Sequence, residues 1–145
     1  MRRLITIGLV AILFCASETK DILAQDSETG VKNTLNSLFN YSKSKQFDKA
    51  SGLIAYNGAD NNRNRKDSFN AANKDELGQV KRICKKISAL IDLSSKQEFG
   101  KFEIKKDGTA ENYLIEANFI SGDQKLVTIF SFIKTEKGFL MTDIN

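Results

Sequence analysis

The apolar positions of the chain change rhythm once. Up to about residue 93 they recur at helical spacing, and from Gln97 onward they alternate. Val31, Leu35, Leu38 and Phe39 fall on one stripe while Lys32, Asn36 and Ser37 face elsewhere, which predicts a first helix capped by Ser27 or Thr29. After the polar Ser42-Lys43-Ser44-Lys45 break, Phe47, Ala50, Leu53 and Ile54 predict a short second helix ending at Asn57-Gly58. Residues 59–72 are strongly polar through Asp60 to Asp67, and they predict a mobile surface loop with little to offer a core. The third helix is the clearest. Asn73 can cap it, Glu76 stands at the reciprocal capping position, and Leu77, Val80, Cys84, Ile87 and Ile91 make one stripe broadened by Ile83 and Leu90, as far as about Leu93.

Four strand-like segments follow. Residues 98–105 carry Phe102 and Ile104 in alternation, and Lys106-Asp107-Gly108-Thr109 holds the Asp-Gly pair of a tight hairpin. Residues 111–121 set Tyr113, Ile115, Ala117 and Phe119 on one face against Leu114, Glu116, Asn118 and Ile120 on the other. Ser121-Gly122-Asp123-Gln124 turns into residues 125–134, where Leu126, Phe130 and Phe132 oppose Val127, Ile129 and Ile133, and Glu136-Lys137-Gly138 leads to residues 139–144. The expected fold class is therefore α+β, with N-terminal helices packed in the concave face of a curved four-stranded antiparallel meander. Helices cover one face of such a sheet, yet the second and third strands are apolar on both. The uncovered face is accordingly expected to pack on a second copy of the chain or on an envelope protein, unless loop 59–72 folds back over it.

The amino terminus bears on where this happens. Arg2 and Arg3 precede an apolar run, Leu4 to Phe14, that would span only roughly 16 Å as helix against a hydrocarbon core of about 30 Å. It has the form of a signal peptide cleaved after Ala24, which gives a periplasmic or secreted chain of residues 25–145 forming a single domain with no transmembrane segment. A lipid anchor on Cys15 is the alternative, with the bulky Phe14 against it. Cleavage removes Arg2, Arg3 and Lys20 with Glu18 and Asp21, so the net charge of +4 becomes 19 basic against 16 acidic residues, or +3. Cys84 is then the sole cysteine, unable to form an internal disulfide and expected as a small buried apolar residue.

Composition excludes whole classes of chemistry. There is no histidine, so imidazole-based triads, cysteine–histidine pairs and ordinary catalytic zinc sites are all ruled out. No Gly-rich phosphate loop occurs, and no metal site or cofactor is expected. Lys81, Arg82, Lys85 and Lys86 share a helix face without interleaved aromatics, so the patch is expected to be solvated and no nucleic-acid partner is expected.

Helices ahead of a curved meander, closed by Gly138-Phe139-Leu140-Met141-Thr142-Asp143-Ile144, resemble the nuclear transport factor 2-like superfamily over residues 28–145. The resemblance implies a cone-shaped pocket between sheet and helices, in members that range from ketosteroid isomerases and dehydratases to small exported bacterial domains of no assigned activity. The histidine–aspartate pair of the enzymes has no counterpart here.

The favoured expectation is thus a non-catalytic binding or interaction domain, with Tyr41, Tyr56, Asn118 and Asp143 as ligand-binding candidates for a small apolar ligand. The alternative is a histidine-free acid/base enzyme with Asp143 or Glu116 as base and Tyr56 or Tyr113 as donor. It requires a carboxylate and a tyrosine hydroxyl in one closed cavity. A third expectation gives Arg63, Arg65 and Lys66 an anion-binding role, against local pairing with Asp60 and Asp67.

Overall fold

The structure is a computed structural model and describes residues 18–145. Arg2, Arg3, the Leu4 to Phe14 run and Cys15 lie outside the described residues. The elements are α1 (Glu18–Lys43), α2 (Phe47–Ser51), α3 (Lys74–Asp92), β1 (Lys96–Asp107), β2 (Ala110–Ser121), β3 (Gln124–Thr135) and β4 (Gly138–Ile144). The strands form one antiparallel sheet in the order β1-β2-β3-β4, the expected meander. The α+β class, with helices ahead of the sheet and against one face of it, is as expected.

The tight hairpins follow from their glycines. Gly108 and Gly122, at φ 61° and 58°, each open a two-residue loop. Positive φ at the first loop position, which matches the right-handed strand twist, is the mark of a type II′ turn. The glycine of Asp107-Gly108 thus leads the loop, and Asp107 remains in β1 paired with Ala110.

Register assigns the faces. Tyr113 opposes Phe132, Ile115 opposes Phe130, Ala117 opposes Thr128, and all six are buried under the helices. On β1 an extra residue between Phe99 and Phe102 lets both aromatic rings point inward, since Phe99 opposes Ala117 while Phe102 opposes Ile115. A second irregularity lies between Ser131 and Phe132. From α1, Val31, Leu35 and Leu38 are fully buried, and Phe39 packs its ring 5.8 Å from Phe119 and 5.7 Å from Phe130. α3 contributes Val80, Cys84, Ile87 and Ile91 to the same core and packs on α1 and α2. Burial pushes the Cys84 thiol up, with Ser42 beside it opposing the shift.

Four local expectations are corrected. Neither Ser27 nor Thr29 caps α1, because the helix runs continuously from Glu18 through both. The second helix stops at Ser51, since the Leu53 carbonyl and Ala55 N–H pair with Met141 of β4 and draw the chain into the sheet edge. Loop 59–72 is tied down and sends Phe69 into the core. It also leaves the outer face of the sheet open. Asn73 does cap α3, its side-chain oxygen accepting from Asp75 N–H at 3.0 Å and Glu76 N–H at 3.3 Å, but Glu76 does not bond back to the cap.

Among the described residues no helix is long and apolar enough to cross a membrane.

Candidate functional site

The most elaborate polar cluster ties the loop to α3. Glu76 stands in the first turn of the helix, where the macrodipole favours a carboxylate. Its Oε1 accepts from Arg63 Nη1 at 2.8 Å and its Oε2 from Asn70 N–H at 2.7 Å. Arg63 Nη2 donates to the Ser68 carbonyl, and the guanidinium lies 3.8 Å from the centroid of the Tyr56 ring. Tyr56 meets Phe69 edge to face at 5.6 Å and accepts from Asp60 N–H at 3.1 Å. Burial pushes the Glu76 carboxyl up, but the Arg63 hydrogen bond and the Asn70 N–H outweigh it and hold the group below the ordinary carboxylate range. The cluster is an anchor for the loop.

This overturns part of the anion-binding expectation, and also its counterpart. Arg63 pairs with Glu76 across thirteen residues, not with Asp60 or Asp67. Those two acids hold turns instead: Asp60 Oδ1 accepts from Asn62 N–H and Asp67 Oδ2 from Asn64 N–H. Arg65 and Lys66 are exposed, and Lys66 lines a hollow of about 740 Å³ between the loop and the β3–β4 hairpin. Glu76 stands four residues after the polar run 59–72, which puts it within reach of that run's arginines as well as at the capping position.

The four ligand-binding candidates are dispersed. Tyr41 is half-buried on α1, with the Lys49 ammonium 5.8 Å from its ring centroid. Tyr56 belongs to the anchor. Asn118 points to the outer face opposite Val127, is only 6% exposed, and leaves its Oδ1 without a partner. Asp143 lies on β4, where Oδ1 accepts from Ile144 N–H at 2.8 Å while Lys86 Nζ donates to the Ile144 carbonyl at 3.0 Å, so the two side chains blunt the free sheet edge. None of the four bonds another.

The proposed acid/base pairs are not assembled either. Glu116 is on the outer face opposite Ile129 and accepts from Lys101 N–H at 3.2 Å, whereas Tyr113 faces inward. The carboxyl and tyrosine that do meet are Glu111 and Tyr113, at 2.7 Å, neighbours on one face of β2. That i, i+2 spacing was legible in the sequence and passed over. Burial and Glu111 push the Tyr113 hydroxyl up to about 12, and Tyr113 and Lys106 hold Glu111 below its ordinary value. Each group is thereby locked in its resting state, Tyr113 protonated and Glu111 ionised, the reverse of the tuning that acid/base work near neutral pH requires.

The domain bears pockets, and they sit around the rim of a filled core. Besides the 740 Å³ hollow, one of about 250 Å³ opens between α1 and β1 over Phe39, Phe99 and Ala117, and one of about 290 Å³ lies between α3 and β4 over Ile83, Met141 and Asp143. Among the described residues Phe130, Phe132, Leu35 and Leu38 are fully buried and fill the inner face.

No family model matches the chain. No curated protein matches it either. Among solved structures it is similar to an NTF2-like protein with a cystatin-like fold from Novosphingobium aromaticivorans, at 8% identity and a TM-score of 0.47, over 90% of this chain and 86% of that one.

The outer face is the largest surface left unfinished. Leu114, Ile120 and Ile133 are half-buried there, while Val127 and Ile129 are 47% and 39% exposed. β1 borders them with the ion pairs Lys96–Glu98 and Lys101–Glu103. Gly100 lies in the β1 bulge, where a Cβ would stand 2.7 Å from Glu116 Oε2 and 3.0 Å from Asn118 Nδ2. The missing side chain lets those two polar groups lie flat against the sheet.

Proposed function

We propose that the chain is an exported, non-catalytic interaction domain that pairs with a second copy of itself through the outer face of its sheet. The observation that carries this reading is the difference in cover: β2 and β3 present large apolar side chains on both faces, and the helices take only one. Size supports it. Three strands of twelve residues and one of seven make a face of roughly 700 Å² per copy, close to the ~800 Å² a side of a standard interface. The β1 border does not oppose it, because four of its charges are paired with each other as Lys96–Glu98 and Lys101–Glu103.

Export rests on the amino-terminal pattern, with cleavage after Ala24 and a mature chain beginning at Gln25. The described part of α1 suits that cut. Ile22 and Leu23 are 58% and 65% exposed, and Ser27 is the first buried one among the described side chains, so the Ile22 and Leu23 that a cut after Ala24 removes are not core residues.

Sedimentation equilibrium tests the pairing. The wild-type chain is expected to be a dimer and Ile129→Lys a folded monomer. A wild-type monomer at high concentration, or capture of a different envelope protein on the same face, overturns the second copy as the occupant.

A further inference from the structure

We propose that the 740 Å³ hollow between loop residues 63–70 and the β3–β4 hairpin binds a small organic polyanion, one with two or more carboxylate or phosphate groups, through Lys66, Lys134 and Lys137. The site stands apart from the outer-face pairing. Its volume falls within the roughly 300–1,000 Å³ of small-molecule sites.

Charge identifies the occupant. Five lysines are engaged elsewhere, Lys32 with Glu28, Lys96 with Glu98, Lys101 with Glu103, Lys106 with Glu111, and Lys86 with the Ile144 carbonyl, and the other described lysines outside the hollow, Lys81 and Lys85 among them, are spread over the surface. What sets Lys66, Lys134 and Lys137 apart is convergence, since all three line one hollow from opposite walls, outside the ion pairs among the described residues, with the Lys134 ammonium 5.8 Å from the Phe139 ring centroid. The remaining cation of the lining, Arg63, is committed to Glu76 and fixes the loop wall in place. Of the two acids present, Asp67 holds the Asn64 turn and Glu136 sits exposed at the hairpin tip.

The rest of the lining is mixed, with Gly52 and the half-buried Leu53 beside the polar groups. Ser68, Asn70 and Thr135 contribute hydrogen-bonding groups, while Phe139 and Leu140 are almost fully covered and offer a lipid tail little surface. A ligand with anionic groups at two ends would reach Lys66 on the loop and Lys134 and Lys137 on the hairpin together. One charge cannot bridge both walls.

Amide titration by NMR of the isotope-labelled chain, with citrate and separately with pyrophosphate, tests the proposal and separates the two anion chemistries. The expected result is saturable shifts at residues 66–70 and 134–138 with at least one probe, half-saturating below about 1 mM. The double variant Lys134→Gln/Lys137→Gln raises that concentration roughly tenfold. Glu76→Gln, which loosens the wall without touching the lysines, raises it less. The proposal is overturned by no saturable shift from either probe up to about 10 mM, by equal shifts along the Lys81 to Lys86 helix face, or by an unchanged response in the lysine double variant.

Discussion

The two faces of β2 and β3 are built from the same residue types, and only their surroundings differ. On the inner face Tyr113, Ile115, Phe130 and Phe132 meet α1 and are sealed from water. On the outer face Leu114, Ile120 and Ile133 are only half-buried, and Val127 and Ile129 are exposed. Apolar alternation along a strand therefore reports which positions are large and not which are covered. Cover depends on the helices available, and here two long helices and one short one lie against one side only. Function is accordingly more economically sought on the face that folding leaves exposed than in the one it fills.

Substitutions on the two sides should separate sharply. The largest effect belongs to Phe132→Ala on the inner face, which should lower unfolding free energy by about 3–5 kcal/mol in chemical denaturation through cavity formation. Ile129→Lys on the outer face should change the stability of the monomer by less than about 0.5 kcal/mol while abolishing the dimer. Equal destabilisation by both would erase the distinction between the faces.

The loop anchor comes next in size. Glu76→Gln should cost about 1–2 kcal/mol by weakening the bonds from Arg63 and Asn70 N–H. The pH dependence has a definite sign. A carboxyl held below its ordinary value of 4.5 adds stability above that pH and loses it as the pH falls through the folded-state value. Melting curves of the wild type should thus drop more steeply below about pH 4.5 than those of Glu76→Gln. Parallel curves would remove Glu76 from the account.

A smaller effect is expected at Tyr113. Its raised value means that the stability it contributes is present below the ordinary tyrosine range near 10 and is lost toward about 12. In an ultraviolet titration of the folded protein one of the three tyrosines should ionise last, and Tyr113→Phe should remove that step at a cost of about 1 kcal/mol. The smallest effect is expected from deleting residues 1–24, which should leave denaturation of the remainder unchanged within about 0.5 kcal/mol.

Much of this architecture was legible in the sequence because its signals are local. The three glycine-bearing turns, the period-two alternation of residues 111–121 and 125–134, and the Asn73 cap each act within a few residues, and strand limits agree within two positions. Long-range pairing was not legible. Leu53 and Ile54 continue a helical pattern, yet Met141, far along the chain, takes Leu53 and Ala55 as strand partners. Phe69, alone in a polar run, gives no periodicity, and its burial depends on Tyr56 receiving it. Long-range partners decide the site in the same way. Arg63 is flanked by Asp60 and Asp67 in sequence, yet α3 brings Glu76 to it, and Asp143 lines the hollow between α3 and β4 while its carboxylate also accepts from the Ile144 N–H.

The claim that matters most is that a second copy covers the outer face, and methyl accessibility to a soluble paramagnetic agent, followed against protein concentration, measures it directly. The account predicts that Ile115 is shielded throughout, while Val127 and Ile129 are accessible in dilute solution and become shielded as the protein is concentrated. Val127 and Ile129 remaining accessible at every concentration would contradict it.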